Sequence, residues 1–158
     1  MDDLTFRKAM GKFATGVTVV TTQVGKDIRG MTANAFMSVS LNPKLVVISI
    51  DENANIKNYI NVSGKFAVSV LNEEQQDMSA YFAGQIEETT EIEFNWFNNM
   101  PTIKNSLVNL TCDVHDTVIA GDHILYIGKV TDVCISDGAP LAFFEGKYKQ
   151  IQALVDMK

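Results

Sequence analysis

Residues 29–50 read RGMTANAFMSVSLNPKLVVISI, and the fold turns on how this stretch is understood. It ends in an apolar, β-branched run from Leu45 to Ile50, and a similar run, Val17 to Thr22, stands shortly before it. Both have the composition of buried strands. Between them Thr32, Asn34, Ser38, Ser40 and Asn42 fall within eleven positions, interleaved with Met31, Ala33, Ala35, Phe36 and Val39. Small residues let a backbone approach the face of a planar ring, while amides and hydroxyls address its polar edge. The same mixture also suits a strand and loop whose hydroxyls only satisfy neighbouring backbone groups. Spacing alone leaves both readings open.

Outward from this stretch the pattern is mostly β. Phe6, Ala9, Met10 and Phe13 recur at helical spacing, which predicts an amphipathic helix over Asp2 to Ala14, ended by Gly16. Val17 to Thr22 and Ile28 to Asn34 are expected to pair as a hairpin through the turn Val24-Gly25-Lys26-Asp27. Asn53 to Ile60 reads as a short helix with Ile56, Tyr59 and Ile60 on one side. A strand from Phe66 to Leu71 precedes a helix over Glu73 to Phe82, with Glu73 and Glu74 favourable in its first turn. From Gly84 to Asn99 the chain turns acidic (Glu87, Glu88, Glu91, Glu93) before Phe94, Trp96 and Phe97, and is read as a loop or mobile flap anchored by its aromatics. Leu107 to Ala120 and Ile124 to Ile135 form a second hairpin around Gly121-Asp122-His123, and Leu141 to Phe144 and Lys147 to Ile151 complete the strands. So many strands with only short helices predict a mainly β, antiparallel barrel or sandwich, not a doubly wound parallel sheet. No repeat or linker divides it, so residues 1–158 are expected to form one domain.

Composition narrows the partners. The chain has 46% hydrophobic and 20% charged residues, ordinary for a globular protein, and a net charge of -6. That charge gives no driving force toward nucleic acid or an anionic membrane. A dinucleotide phosphate can still be held by local amides, hydroxyls and one or two cations. The start, MDDLTFRKAM, is acidic and lacks a signal-type apolar segment, and apolar runs such as Leu45 to Ile48 are far too short to span a bilayer, so a cytoplasmic location is expected. Cys112 and Cys134 have no CxxC spacing and are expected to be buried reduced thiols, with no metal site. No GxGxxG, P-loop, GxSxG or HExxH pattern occurs. Of the two histidines, His115 reads as a solvated strand residue beside Asp113 and Thr117. His123 closes a tight Gly-Asp connection, where a rigid sheet often presents functional groups.

Five segments then form an ordered pattern: FRKAMGKFATGVTVVTT, GMTANAFMSVSLNPKLVVISI, FAVSVLNEEQQDMSAYFAG, AGDHILYIGKV and PLAFFEGKYKQI, from residue 6 to residue 151. Together they strongly resemble the short-chain flavin reductases of the flavin-reductase-like, FMN-binding split-barrel superfamily. The likeness is greatest to the reductase components of two-component monooxygenases that act on aromatic compounds, such as the phenol and 4-hydroxyphenylacetate hydroxylases. The resemblance implies a homodimeric split β-barrel in which NAD(P)H reduces FAD or FMN, and the reduced flavin diffuses to a separate oxygenase component.

It also implies residue roles. Thr32, Ala33, Asn34, Ala35 and Phe36 line the isoalloxazine, with Ser38 and Ser40 nearby. Ser49, Ile50 and Asp51 approach the ribityl chain and phosphate with Asn53, Asn55 and Lys57 at a helix start, where free N–H groups suit an anion. Asn55 stands where many relatives carry Ser or Thr. Gly121, Asp122 and His123 face the nicotinamide, with Gly146, Lys147 and Tyr148 close by, and His123 is the candidate catalytic residue. Such chemistry belongs to the two heterocycles, and the protein supplies chiefly their positioning. This accords with the scarcity of acid, base and nucleophile motifs. The absence of an arginine cluster beside His123 favours NADH over NADPH. The competing expectations are a barrel that keeps its flavin and passes electrons to a protein partner, and a non-enzymatic flavin-binding protein.

Overall fold

The computed structural model describes residues 1–87 and 91–155. Its elements in chain order are α1 (Asp3–Gly11), β1 (Thr15–Gly16), β2 (Thr18–Val24), β3 (Asp27–Ala33), β4 (Phe36–Leu41), β5 (Lys44–Asp51), α2 (Asn55–Ser63), β6 (Lys65–Val70), α3 (Gln76–Phe82), β7 (Phe94–Phe97), β8 (Met100–Ile103), β9 (Val108–Ala120), β10 (His123–Ile135), β11 (Ala142–Phe144) and β12 (Lys147–Lys149). Among the described residues the chain is mainly β with three short helices, as its pattern predicts.

Seven strands form one sheet in the order β3-β2-β6-β9-β10-β5-β4, with every neighbouring pair antiparallel. β1, β11 and β12 form a small sheet, and β7 pairs with β8. β3 and β4 stand at opposite ends of the seven-strand order, so hydrogen bonding does not close the sheet. Strand alternation sends every second residue inward. Val20, Ile48, Ile50, Phe66, Val68 and Tyr126, from four strands, meet in one core with Ile56 and Ile60 of α2. Side chains from both halves of the sheet share this core, so the sheet wraps around it. A second cluster joins Val17, Val19, Leu71, Ile103 and Leu141, with Phe82, Phe143 and Tyr148 packed against it. At Gly128 of β10 the side chains of the neighbouring strands β9 and β6 come so close that a Cβ would lie 2.4 Å from the tip of the Phe66 ring and 2.8 Å from Cys112 Cβ.

Four expectations are corrected. The first helix ends at Gly11 with Lys12 as its cap, because the next backbone is taken by pairing of Thr15 and Gly16 with Phe143 and Ala142. The third helix starts at Gln76, not Glu73. Asn72 Oδ1 accepts from Glu74 N, and Glu73 N donates to Ala139 O, which holds that segment as a turn. Phe94–Phe97 is not loop but one arm of a hairpin with Met100–Ile103. Its turn residues, Asn98 and Asn99, take φ of 48° and 60°, the left-handed pair that fits the twist of such strands. Glu88 lies outside the described residues. Finally, Cys112 is buried but Cys134 is exposed, because β10 loses its β5 neighbour beyond Lys129 and is left with β9 alone on that side. Burial, reinforced by the charge of Asp113, pushes the Cys112 thiol up to about 12.

Candidate active site

The second face of β5 builds the site. Val46, Ile48 and Ile50 point into the core, so Val47 and Ser49 point away from it. β10 lies on one side with His123 opposite Asp51, Ile124 opposite Ile50 and Leu125 opposite Ser49. β4 lies on the other, with Phe36 opposite Ile48, and Ser49 N donates to Ala35 O at 3.2 Å. Ala35, Ser49 and Leu125 therefore stand in a row across three adjacent segments.

Above this row opens a cavity of about 770 Å³, within the usual range for a small-molecule site. Asn34, Ala35, Phe36 and Ser49 line it, as does Gly146, whose φ of +74° lets the turn between β11 and β12 come close. The remaining walls are Phe6, Arg7, Met10, Gly11, Phe13 and Thr15 near the N-terminus, with Met37, Val47, Leu125 and Phe143. These were missed as site residues. The apolar stripe of the first helix was visible in the sequence, but such a stripe normally faces a core. Here no residue of α1 is buried, and the stripe faces the cavity.

The helix-start residues and the Gly121-Asp122-His123 turn are not among the residues that line this cavity. Asp51 Oδ1 accepts from Asn53 N at 2.8 Å. The N-cap of α2 is Ala54, which has no side-chain oxygen to offer the first-turn N–H groups. Asn55 is exposed and Lys57 half-buried. Glu52 N donates to Asp122 O at 3.0 Å, which ties this turn directly to the Gly121-Asp122 connection. Gly121 makes that connection with a φ of +63°. His123 Nδ1 lies 2.8 Å from Asp122 Oδ1 and both are open to solvent. The ring's hydrogen bond, then its charge, holds the Asp122 carboxyl below the usual carboxylate range.

Other predicted residues point elsewhere. Ile50 is fully enclosed and Ala33 is in the core, so neither side chain reaches the cavity. Thr32 Oγ1 donates to Ser79 O at 2.6 Å. Ser38 and Ser40 flank a bulge on edge strand β4, outside the cavity lining. Lys147 is exposed, and Tyr148 shares a 2.7 Å hydrogen bond with Ser79 Oγ while its ring edges against Phe143. His115 is exposed beside the bulge between β9 and β10. Among the described residues no three His, Cys, Asp or Glu side chains group to hold a metal ion, and no helix is long and apolar enough to cross a membrane.

The cavity fits a flavin ring system, with aromatic and aliphatic walls and the exposed amide of Asn34, while the uncapped start of α2 lies outside its lining. Comparison with known proteins agrees. A family model described as a flavin reductase like domain matches residues 10–152. An NADH-dependent flavin reductase from Rhodococcus is 41% identical over 154 residues, covering 96% of this chain and 88% of its own. The reductase component of 4-hydroxyphenylacetate 3-monooxygenase from Thermus thermophilus is 37% identical, covering 92% of this chain and 95% of its own. A flavin reductase solved in its native state superposes with a TM-score of 0.94 at 52% identity, over 97% of this chain and 100% of that one.

Proposed function

This chain belongs to the flavin reductase-like family, and from that we propose that it transfers a hydride from NADH to FAD or FMN and supplies the reduced flavin to a separate monooxygenase component. The observation that carries this reading is the 3.0 Å bond from Glu52 N to Asp122 O together with the β5–β10 register. These join the turn proposed for flavin phosphate to the Gly121-Asp122-His123 turn proposed for nicotinamide. In this reading the two half-sites act as one.

A bound flavin supplies the two-electron acceptor, so the protein's task is to hold and orient. Asn34 addresses the polar edge of the ring through its amide, while Ala35, Phe36 and Phe143 exclude water from its faces. The first-turn N–H groups of α2, with Asn53, Asn55 and Lys57, receive the phosphate. His123, oriented by Asp122, hydrogen-bonds the nicotinamide carboxamide. The test is aerobic NADH oxidation at catalytic protein concentration with FMN, FAD or riboflavin added. Many turnovers in proportion to free flavin are expected, and one turnover per protein regardless of added flavin would favour an electron carrier instead. His123→Ala is expected to raise KM for NADH by at least as large a factor as it lowers kcat. An unchanged kcat/KM removes the residue from the site.

The working unit in this reading is one domain, residues 1–158, in a cytoplasmic, homodimeric split barrel. Exposed Phe6, Met10 and Phe13, with Met37, Val39 and Leu41 along edge strand β4, support a covering second copy. Sedimentation is expected to give twice the chain mass, and a purely monomeric species at micromolar concentration refutes the dimer.

A further inference from the structure

A second cavity, of about 450 Å³, lies between α1 and the turn that joins β11 to β12. Arg7, Lys8, Gly11 and Lys12 line it from the helix side, and Glu145 and Gly146 from the turn. Glu145 is the only acid among them, and its Oε1 accepts from Lys12 Nζ at 2.8 Å. That hydrogen bond, and then the charges of Lys12, Lys149 and Lys147, hold the Glu145 carboxyl below the usual carboxylate range. Five of the chain's 13 Lys and Arg residues therefore gather around one turn of a protein whose net charge is -6. Arg7, Lys8, Lys147 and Lys149 make no ion pair among the described residues.

Cations near a helix C-terminus answer its dipole, which accounts for Lys8 and Lys12. It does not account for Arg7 or for the two lysines of β12. A concave pocket walled by one sign of charge concentrates counter-ions. This one offers ammonium and guanidinium donors and no side-chain carboxylate beyond Glu145. Such a set suits a phosphate or pyrophosphate group, whose oxygens several Lys and Arg donors can share. The pocket also stands where α1 is fastened. No residue of this nine-residue helix is buried, and a helix so short is marginal by itself. Its C-terminal end is held by the exposed Lys12–Glu145 pair, of a kind that contributes little alone, and by Glu145 N donating to Gly11 O at 2.9 Å. Lys8 and Lys12, four residues apart, share one face, opposite the stripe of Phe6, Met10 and Phe13. The pocket thus stays open even with a second copy on that stripe. Arg7, Gly11 and Gly146 line both cavities, so the two share a wall.

We propose that the pocket between α1 and the β11–β12 turn binds a phosphate-class anion, free or carried on a nucleotide, and that the bound anion clamps α1 in place. Arg7 and Lys8 hold it from the helix, Lys147 and Lys149 draw it toward the turn, and Lys12 stays with Glu145. The anion adds a bridge where one exposed ion pair now stands, and it steadies the wall of the larger cavity. The site itself does not depend on what fills that larger cavity. Only the consequence for flavin rests on the proposed function.

The test is titration calorimetry of the full chain, without flavin or NADH, against sodium pyrophosphate and against ADP, with potassium chloride of equal ionic strength as the reference. Saturable pyrophosphate binding is expected, and Lys8→Glu should weaken it at least roughly tenfold, the loss of one hydrogen bond to a charged group. Lys104→Glu makes the same change in net charge at an exposed turn outside the pocket, and should leave the affinity as it was. ADP bound as tightly as pyrophosphate supports a site that reads phosphate alone, while tighter ADP binding that Lys8→Glu abolishes supports a nucleotide as the carrier. Trypsin cleavage after Arg7, Lys8 and Lys12 should slow when pyrophosphate is present, with cleavage after Lys104 unchanged. No saturable binding beyond chloride, or equal losses for Lys8→Glu and Lys104→Glu, overturns the site. Binding with no protection of the three α1 positions overturns the clamp. Because none of these readouts contains flavin, their failure leaves NADH-driven flavin reduction standing, and failure of that activity leaves them standing.

Discussion

Ala35→Trp is expected to fold normally and to lose flavin affinity by at least about a hundredfold, the equivalent of roughly 2.7 kcal/mol. Ala35 sits on the cavity wall with an exposed side chain, beside Asn34 and Phe36. Its backbone carbonyl accepts from Ser49 N, a bond that any side chain can keep. An indole added here meets no core residue, so the sheet has no reason to distort. It occupies the space where a ring system would stack, and the ligand loses its contact with that wall. NADH oxidation with saturating wild-type levels of flavin should fall in parallel with binding, while circular dichroism and the urea midpoint stay unchanged. A variant that binds flavin as before would show that the cavity over β5 is not the flavin site.

Gly128→Val should produce the largest loss of stability, about 3 kcal/mol, because overpacking a filled core forces backbone or rotamer shifts. The Cβ alone would lie 2.4 Å from the Phe66 ring tip and 2.8 Å from Cys112 Cβ. Phe66 is fully buried and Cys112 nearly so, which leaves neither room to move away. Urea denaturation with an unchanged slope should report the loss as a shifted midpoint. Phe66→Leu shortens the obstructing ring, so the double variant should lose less than the sum of the two single ones. Strict additivity would mean that the ring is not the obstacle.

The strands that carry the core were legible because β-branched runs such as Val17–Thr22 and Leu45–Ile50 have few alternatives in a chain of this composition. The strand Phe36–Leu41 was not named as such. It alternates Ser38 and Ser40 with Met37, Val39 and Leu41, and those apolar side chains face outward on a sheet edge, where hydropathy misleads. The Phe94–Ile103 hairpin was hidden by the acidic residues before it, although Asn98-Asn99 was a turn signal in plain view. In the site, the family resemblance placed Asn34, Ala35, Phe36, Ser49 and Gly146 around one cavity, but treated consecutive residues as if they shared a direction. Strand pleating sends Ala33 and Ile50 into the core instead. Tyr148 turns to Ser79 for the same reason that it packs on Phe143: its ring belongs to the second apolar cluster. The contribution of the N-terminal helix was illegible because a stripe that lines an empty space and one that seals a core have the same spacing.

That helix has a consequence for how the chamber can change. Phe6, Met10 and Phe13 wall it on one side, yet none of them belongs to the buried core of the protomer. The opposite floor, by contrast, is the outer surface of the sheet that wraps the core. Selectivity can therefore be rewritten on one side without spending the stability held on the other. A lineage, or an engineer, that varies these three positions can refit the pocket to a bulkier or smaller guest with the protomer's own core left intact, and any change in melting temperature then reports their share of the contact between copies.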